Sequence, residues 1–244
     1  MKQLILPVII AMALLAACKK SSDTAVPETE SHFMFVNGVP GATFGVKMDT
    51  ANVATSVAYG GSSGYKAFKA QAYRMWIYDV RTPQSPIYMG QYNLRNARYF
   101  TAFLGVDTSN TRLSLMFAED DLSPNTTGMA RFRVVDLSDS YNPTRFSSQQ
   151  AVSMDIWSDT SNTSANSSRF FRGMSYPSIS SFTPVFADST YLMCVRWIDF
   201  RAKDSIFGTP TIHFNKDKVY SLVLTSRADR LDTTKLKSFV IQHN

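Results

Sequence analysis

From His32 onward, apolar and polar residues alternate with a period of two, the spacing at which successive side chains of an extended chain face opposite sides of a sheet. Phe33-Met34-Phe35-Val36-Asn37 predicts a strand that stops at the turn-forming cluster Asn37-Gly38-Val39-Pro40-Gly41. Between Ala72 and Val80, Tyr73, Met75 and Ile77 fall on one side and Arg74, Trp76 and Tyr78 on the other. Residues 98–106 and 111–118 predict a hairpin closed through Asp107-Thr108-Ser109-Asn110, and residues 235–242 a last strand. No segment has the 3.6-residue period of a long amphipathic helix. Gly60-Gly61-Ser62-Ser63-Gly64 reads as a flexible loop, because a phosphate cradle needs a Lys-Ser/Thr pair and a helix behind it.

Glu119-Asp120-Asp121-Leu122-Ser123-Pro124-Asn125-Thr126-Thr127-Gly128 breaks the alternation and reads as a linker, after which the order of features restarts. Phe33–Asn37 corresponds to Arg131–Val135, Gly45–Met48 to Val152–Ile156, Tyr73–Val80 to Tyr191–Ile198, and Asn96–Leu104 to Asn215–Val223. The expectation is all-β: two tandem antiparallel β-sandwiches, immunoglobulin/transthyretin-like, over 32–120 and 130–244, joined by 121–129.

The chain start follows another pattern. Lys2 precedes an apolar run that ends at Ala17, shorter than the roughly 20 residues a membrane span needs. Leu15-Ala16-Ala17-Cys18 resembles the lipobox of bacterial lipoproteins, in which small side chains suit a peptidase and the Cys thiolate accepts the lipid. Residues 1–17 are expected to be a signal peptide, with Cys18 lipidated and anchored by two or more acyl chains, palmitate among them. Residues 18–31 would be a flexible tether, reaching roughly 40 Å if extended. By resemblance to bacterial sorting rules, Lys19 directs the lipoprotein to the outer membrane. The absence of an acidic run after Cys18 leaves open whether it faces the periplasm or the cell surface.

Composition narrows the function classes. Aromatic residues make up 13% and charged residues 18%, which favours a packed core over disorder. The net charge is +6, but the basic residues are scattered singly rather than gathered into a stripe, so nucleic acid is not an expected partner. Cys194 sits in the apolar run Tyr191–Ile198 and reads as a small buried hydrophobe.

The strand ahead of Asn37-Gly38-Val39-Pro40-Gly41, the Tyr-led strand near Tyr99, and Glu119-Asp120-Asp121-Leu122 ahead of Ala130–Val135 together resemble the DUF4397 proteins. The resemblance runs over roughly His32 to Ser226. It implies an exported, often lipidated protein of Bacteroidetes type built from two β-sandwich repeats, and it implies no assigned activity. In the second unit, Val135-Asp136-Leu137-Ser138-Asp139 replaces the Asn-x-x-Pro-Gly turn, and 159–168 is a Ser/Thr/Asn-rich insertion.

Candidate chemistry is sparse. His32, His213 and His243 have no metal-ligand spacing. Glu119-Asp120-Asp121, Asp136 with Asp139, and Asp155 with Asp159 could hydrolyse a glycan only if two carboxylates met across a cleft about 5–9 Å apart, and such residues more often serve turns. Asp159-Thr160-Ser161-Asn162-Thr163 places oxygens at alternate positions, faintly like a calcium loop, but Ser164 and Phe170 stand where an EF-hand needs Gly and Glu. Trp76, Trp157 and Trp197 could stack on a sugar, against the usual role of such rings as core. Asp23-Thr24-Ala25 resembles an O-glycosylation acceptor, with Thr24 as the modified residue. No cofactor is expected. The sequence reads as a lipid-anchored, non-catalytic binding or structural module of the cell envelope, with polysaccharide or another envelope protein as partner. The alternative is an envelope hydrolase acting on glycans.

Overall fold

The computed structural model describes residues 29–107, 112–123, 128–138, 153–159, 168–197, 207–227 and 235–244. Cys18, Thr24, the expected signal segment and most of the expected tether lie outside them, as does the interior of the 159–168 insertion.

The described residues form seventeen strands and no helix. In the first unit, β4 (Lys66–Lys69), β1 (Glu30–Asn37), β7 (Tyr99–Val106) and β8 (Leu113–Asp120) make one sheet in that order. Then β3 (Ala51–Ala58), β2 (Thr43–Met48), β5 (Ala72–Asp79) and β6 (Pro86–Asn93) make another. The second unit repeats the scheme. Its first sheet runs β12 (Ser178–Ile179), β9 (Ala130–Asp136), β16 (Val219–Thr225), β17 (Lys237–Gln242), with β13 (Thr183–Val185) also on β9. Its second sheet runs β11 (Ser168–Met174), β10 (Met154–Asp159), β14 (Ser189–Trp197), β15 (Phe207–Phe214). The all-β sandwich architecture matches the sequence pattern. Within it, the β1/β7 and β9/β16 ladders are parallel, where the sequence led to an antiparallel expectation throughout.

Three apolar clusters stack the sheets into four layers. Phe33, Phe35, Val46, Met75 and Ile77 fill the first sandwich. Phe132, Val134, Ile156, Met193 and Phe214 fill the second. Met34, Val36 and Phe103 pack on Val135, Leu137, Val223 and Ile241 between the two. The sheets holding β1 and β9 are therefore covered on both faces. That explains why their strands read as nearly continuous apolar runs, whereas β5 alternates cleanly. Gly38 is required at this junction: a Cβ there would lie 2.7 Å from Leu137 Cδ1 and 2.8 Å from the Leu104 carbonyl oxygen.

Two expectations are corrected. The Gly60–Gly64 segment is pinned along β1, with Asn37 N–H donating to the Gly61 carbonyl at 3.1 Å and Ser63 N–H to the Phe35 carbonyl at 2.9 Å, so it is not a free loop. Within the repeat, Val46 lies opposite Ile77 as Ile156 lies opposite Val195. Gly45–Met48 thus corresponds to Asp155–Ser158, three residues beyond Val152–Ile156. Register shifts in the ladders of both β2 and β10 obscure this in the sequence.

Candidate functional site

Two features concentrate the chemistry: a buried polar ring between the units, and the outer face of the β3-β2-β5-β6 sheet.

Strands from both units contribute to the ring. The Arg133 guanidinium is ion-paired through Nη2 with Asp120 Oδ1, both side chains almost wholly buried. Arg133 Nε–H donates to Ser221 Oγ at 2.9 Å, and Ser221 Oγ lies 2.7 Å from His243 Nε2. His243 Nδ1 lies 2.8 Å from Tyr65 Oη, and Tyr65 Oη–H donates to Asp120 Oδ2 at 2.7 Å. Thr101 Oγ1–H also donates to Asp120 Oδ2, at 2.5 Å. The proton directions follow from elementary rules. An ionised carboxylate only accepts, so Tyr65 gives its proton to Asp120 and takes one from His243 Nδ1. Nε2 is then an acceptor for the Ser221 hydroxyl, whose oxygen accepts from Arg133. Every member is satisfied by one neutral imidazole tautomer. Burial, reinforced by the positive charge of Arg133, lowers His243 to about 3 from 6.5, which agrees. Burial and the adjacent Asp120 charge raise the Tyr65 phenol.

A Ser–His contact of this kind could suggest a nucleophile. Ser221 is fully buried in the middle strand of a covered sheet, and its oxygen is already engaged by Arg133. The ring is a structural bond between the units. Its symmetry follows the repeat, since Met34 pairs with Thr101 in β1/β7 as Arg133 pairs with Ser221 in β9/β16. Beside it, a groove of about 510 Å³ is lined by Glu119, Asp121, Arg131, Ser180, Ser181 and Phe182, among others. The charged groups there are mutually engaged: Glu119 with Arg95 and Arg98, and Asp121 with Arg131.

The outer face of the first sandwich is different. The register places Lys47, Trp76 and Met89 in one row and Gly45, Tyr78 and Pro86 in the next. Tyr78 lies across Gly45, where a Cβ would come 2.2 Å from its Cζ, and Lys47 Nζ sits 5.5 Å from the Tyr78 ring centroid. Met89 is 59% exposed and Ile87 41%, both on edge strand β6, and Val80, just after β5, is 36% exposed. Trp76 is half-buried, and its indole N–H is enclosed without a hydrogen-bond acceptor.

The structure does not bring the three tryptophans together. Trp76 lies on the outer sheet of the first sandwich, while Trp157 and Trp197 belong to the outer sheet of the second. With sheets about 10 Å apart, these outer layers are separated by roughly 30 Å, so Trp76 stands apart from the strands that carry the other two. Trp157 is half-buried with the Arg169 guanidinium 5.5 Å from its ring centroid. The Trp197 backbone pairs with Met154. Cys194 is buried as expected. His32 stacks on Tyr99, and His213 Nδ1 lies 2.9 Å from Thr190 Oγ1. Asp155 accepts from Gly173 N–H and pairs with Arg169, and Asp136 caps a turn by accepting from Ser138. Among the described residues no three His, Cys, Asp or Glu side chains gather as a metal set.

Sequence reasoning missed the ring. The available signal was Arg133 inside the apolar run Phe132–Val135, where a buried charge demands a partner.

Residues 31–142 match the family model of a domain of unknown function (DUF4397). The DUF4397 match covers the whole first sandwich and runs into the second through β9. It stops well short of Ser226, so the likeness of the remaining strands to the first unit rests on their order and register. No curated protein matches the chain.

Proposed function

We propose that this protein is a Bacteroidetes-type lipoprotein, held at the outer membrane by lipid on Cys18. In this reading it acts as a non-catalytic module that binds another envelope protein. The observation that carries the binding part is the exposure of Ile87 and Met89 on edge strand β6, beside Trp76 and Tyr78 of β5. Between the two partner classes raised by the sequence, a protein fits better than a polysaccharide. The exposed members of the patch are aliphatic, and Trp76 is half-buried rather than offering an open ring face. The internal engagement of Asp120, Arg133, Ser221 and His243 supports a rigid body over a reacting centre.

The test is photo-crosslinking in intact envelopes from a probe at position 89, with a probe at exposed Asn52 on the opposite edge strand as control. A discrete protein adduct from position 89 alone is expected. Equal adducts from both positions, or binding on a glycan array that is lost in Trp76→Ala, would overturn the protein-binding reading. Glycan hydrolysis by the purified protein would overturn the non-catalytic one. The anchor is tested separately: metabolic labelling with palmitate is expected to mark the wild type and not Cys18→Ser.

A further inference from the structure

We infer that β6 is a self-association edge, at which two copies of this chain pair antiparallel and join their β3-β2-β5-β6 sheets into one. A sheet edge offers a row of unpaired N–H and C=O groups, and proteins normally guard such rows with charge, proline or brevity. Most of the other described edges follow that rule. The edge strand β4 carries Lys66 and Lys69, β8 ends in Glu119 and Asp120, and β11 carries Arg169 and Arg172. At the remaining edges, β17 begins with Lys237, β15 contains Pro210, and β12 has two residues. Edge strand β3 has no charge, but its large side chains Val53 and Val57 face inward.

β6 combines eight residues, no charged side chain and the exposed large apolar groups Ile87 and Met89. Its sequence Pro86-Ile87-Tyr88-Met89-Gly90-Gln91-Tyr92-Asn93 restricts proline to the first position and the ladder irregularity to the Tyr78/Pro86 end. The stretch from Tyr88 to Asn93 is regular.

Charge selects the occupant. A strand laid on β6 with its own Lys, Arg, Asp or Glu would find no countercharge on the edge. A second β6 brings none, so an isologous two-fold pairing is self-complementary. It sets the two Met89 side chains opposite or diagonal to each other on the face that holds Trp76. The inference rests on the same patch as the protein-binding reading above, with a second copy of this chain as the protein bound, and it also stands without the membrane anchor.

The experiment is sedimentation velocity on the full-length chain in detergent over a concentration series. Wild type and Asn52→Lys are expected to show a reversible dimer. Met89→Lys and Met89→Glu, each alone, are expected to raise the dimer dissociation constant by about tenfold or more. Mixing the two variants is expected to restore a dimer, which a misfolded variant could not do. A wild-type monomer throughout, or a dimer indifferent to charge at position 89, would overturn the inference. If self-association fails while the position 89 probe still captures another protein, the protein-binding reading survives and only the identity of the partner falls.

Discussion

The single proton arrangement that satisfies the ring gives His243 a definite effect on stability. Its folded value, about 3, lies below the unfolded 6.5, so the unfolded chain takes up the proton first. The stabilisation is therefore complete above about pH 6.5 and is lost as pH falls toward about 3. Urea unfolding of wild type and His243→Gln across that window checks this. The gap between them is expected to shrink on acidification by up to a few kcal/mol, at no more than about 1.4 kcal/mol per pH unit. Arg133 and Asp120 make a second test. Arg133→Met leaves a buried carboxylate without its partner and is expected to cost about 3–5 kcal/mol. Adding Asp120→Asn is expected to recover part of that loss, because the equivalent place in the first unit is already filled by Met34. A double-mutant cycle with coupling under about 0.5 kcal/mol would show that the pair contributes little to stability.

Two glycines of the first unit separate cheap crowding from costly crowding. At Gly45 the obstacle is the tip of Tyr78, the far end of a rotatable side chain. At Gly38 it includes the fixed Leu104 carbonyl oxygen. Gly38→Ala is expected to cost about 2–3 kcal/mol and Gly45→Ala distinctly less, as read from their unfolding midpoints. The same contrast shows what could be read in the chain. Where one face of a strand is solvated, as in β5, the alternation separated Tyr73, Met75 and Ile77, which lie in the core, from Arg74 and Trp76 on the other face. The 98–106 and 111–118 hairpin and the last strand were legible from their bounded apolar runs. In β1, β7 and β16 both faces are covered, so the apolar run marked a strand but hid which side met the other unit. Of the ring only Arg133, set in an apolar run, left a local trace, since Tyr65, Asp120, Arg133, Ser221 and His243 are scattered over more than half the chain and meet only after both sandwiches form. Edge position was equally hidden: Ile87 and Met89 look like ordinary strand residues until the strand order shows β6 to be unpaired on one side.

At the scale of the whole molecule, the junction between the units has the composition of a core. Met34, Val36 and Phe103 from one unit are buried against Val135, Leu137, Val223 and Ile241 from the other. Tyr59 Oη lies 2.9 Å from Thr225 Oγ1 across the same boundary, and the ring completes it. Neither sandwich can leave the other without exposing a sheet face of this apolarity together with a buried ion pair. Ordinary interdomain contacts within a chain are more polar and permit independent melting. Calorimetry of the full chain is therefore expected to give one transition with van't Hoff and calorimetric enthalpies in close agreement. Leu137→Asp places a charge against Gly38 and Gly105 at the centre of the junction. It is expected to lower the midpoint sharply and to split the transition in two, as the sandwiches lose their common core. Two transitions in the wild type would mean that the shared cluster and the ring do not couple the units.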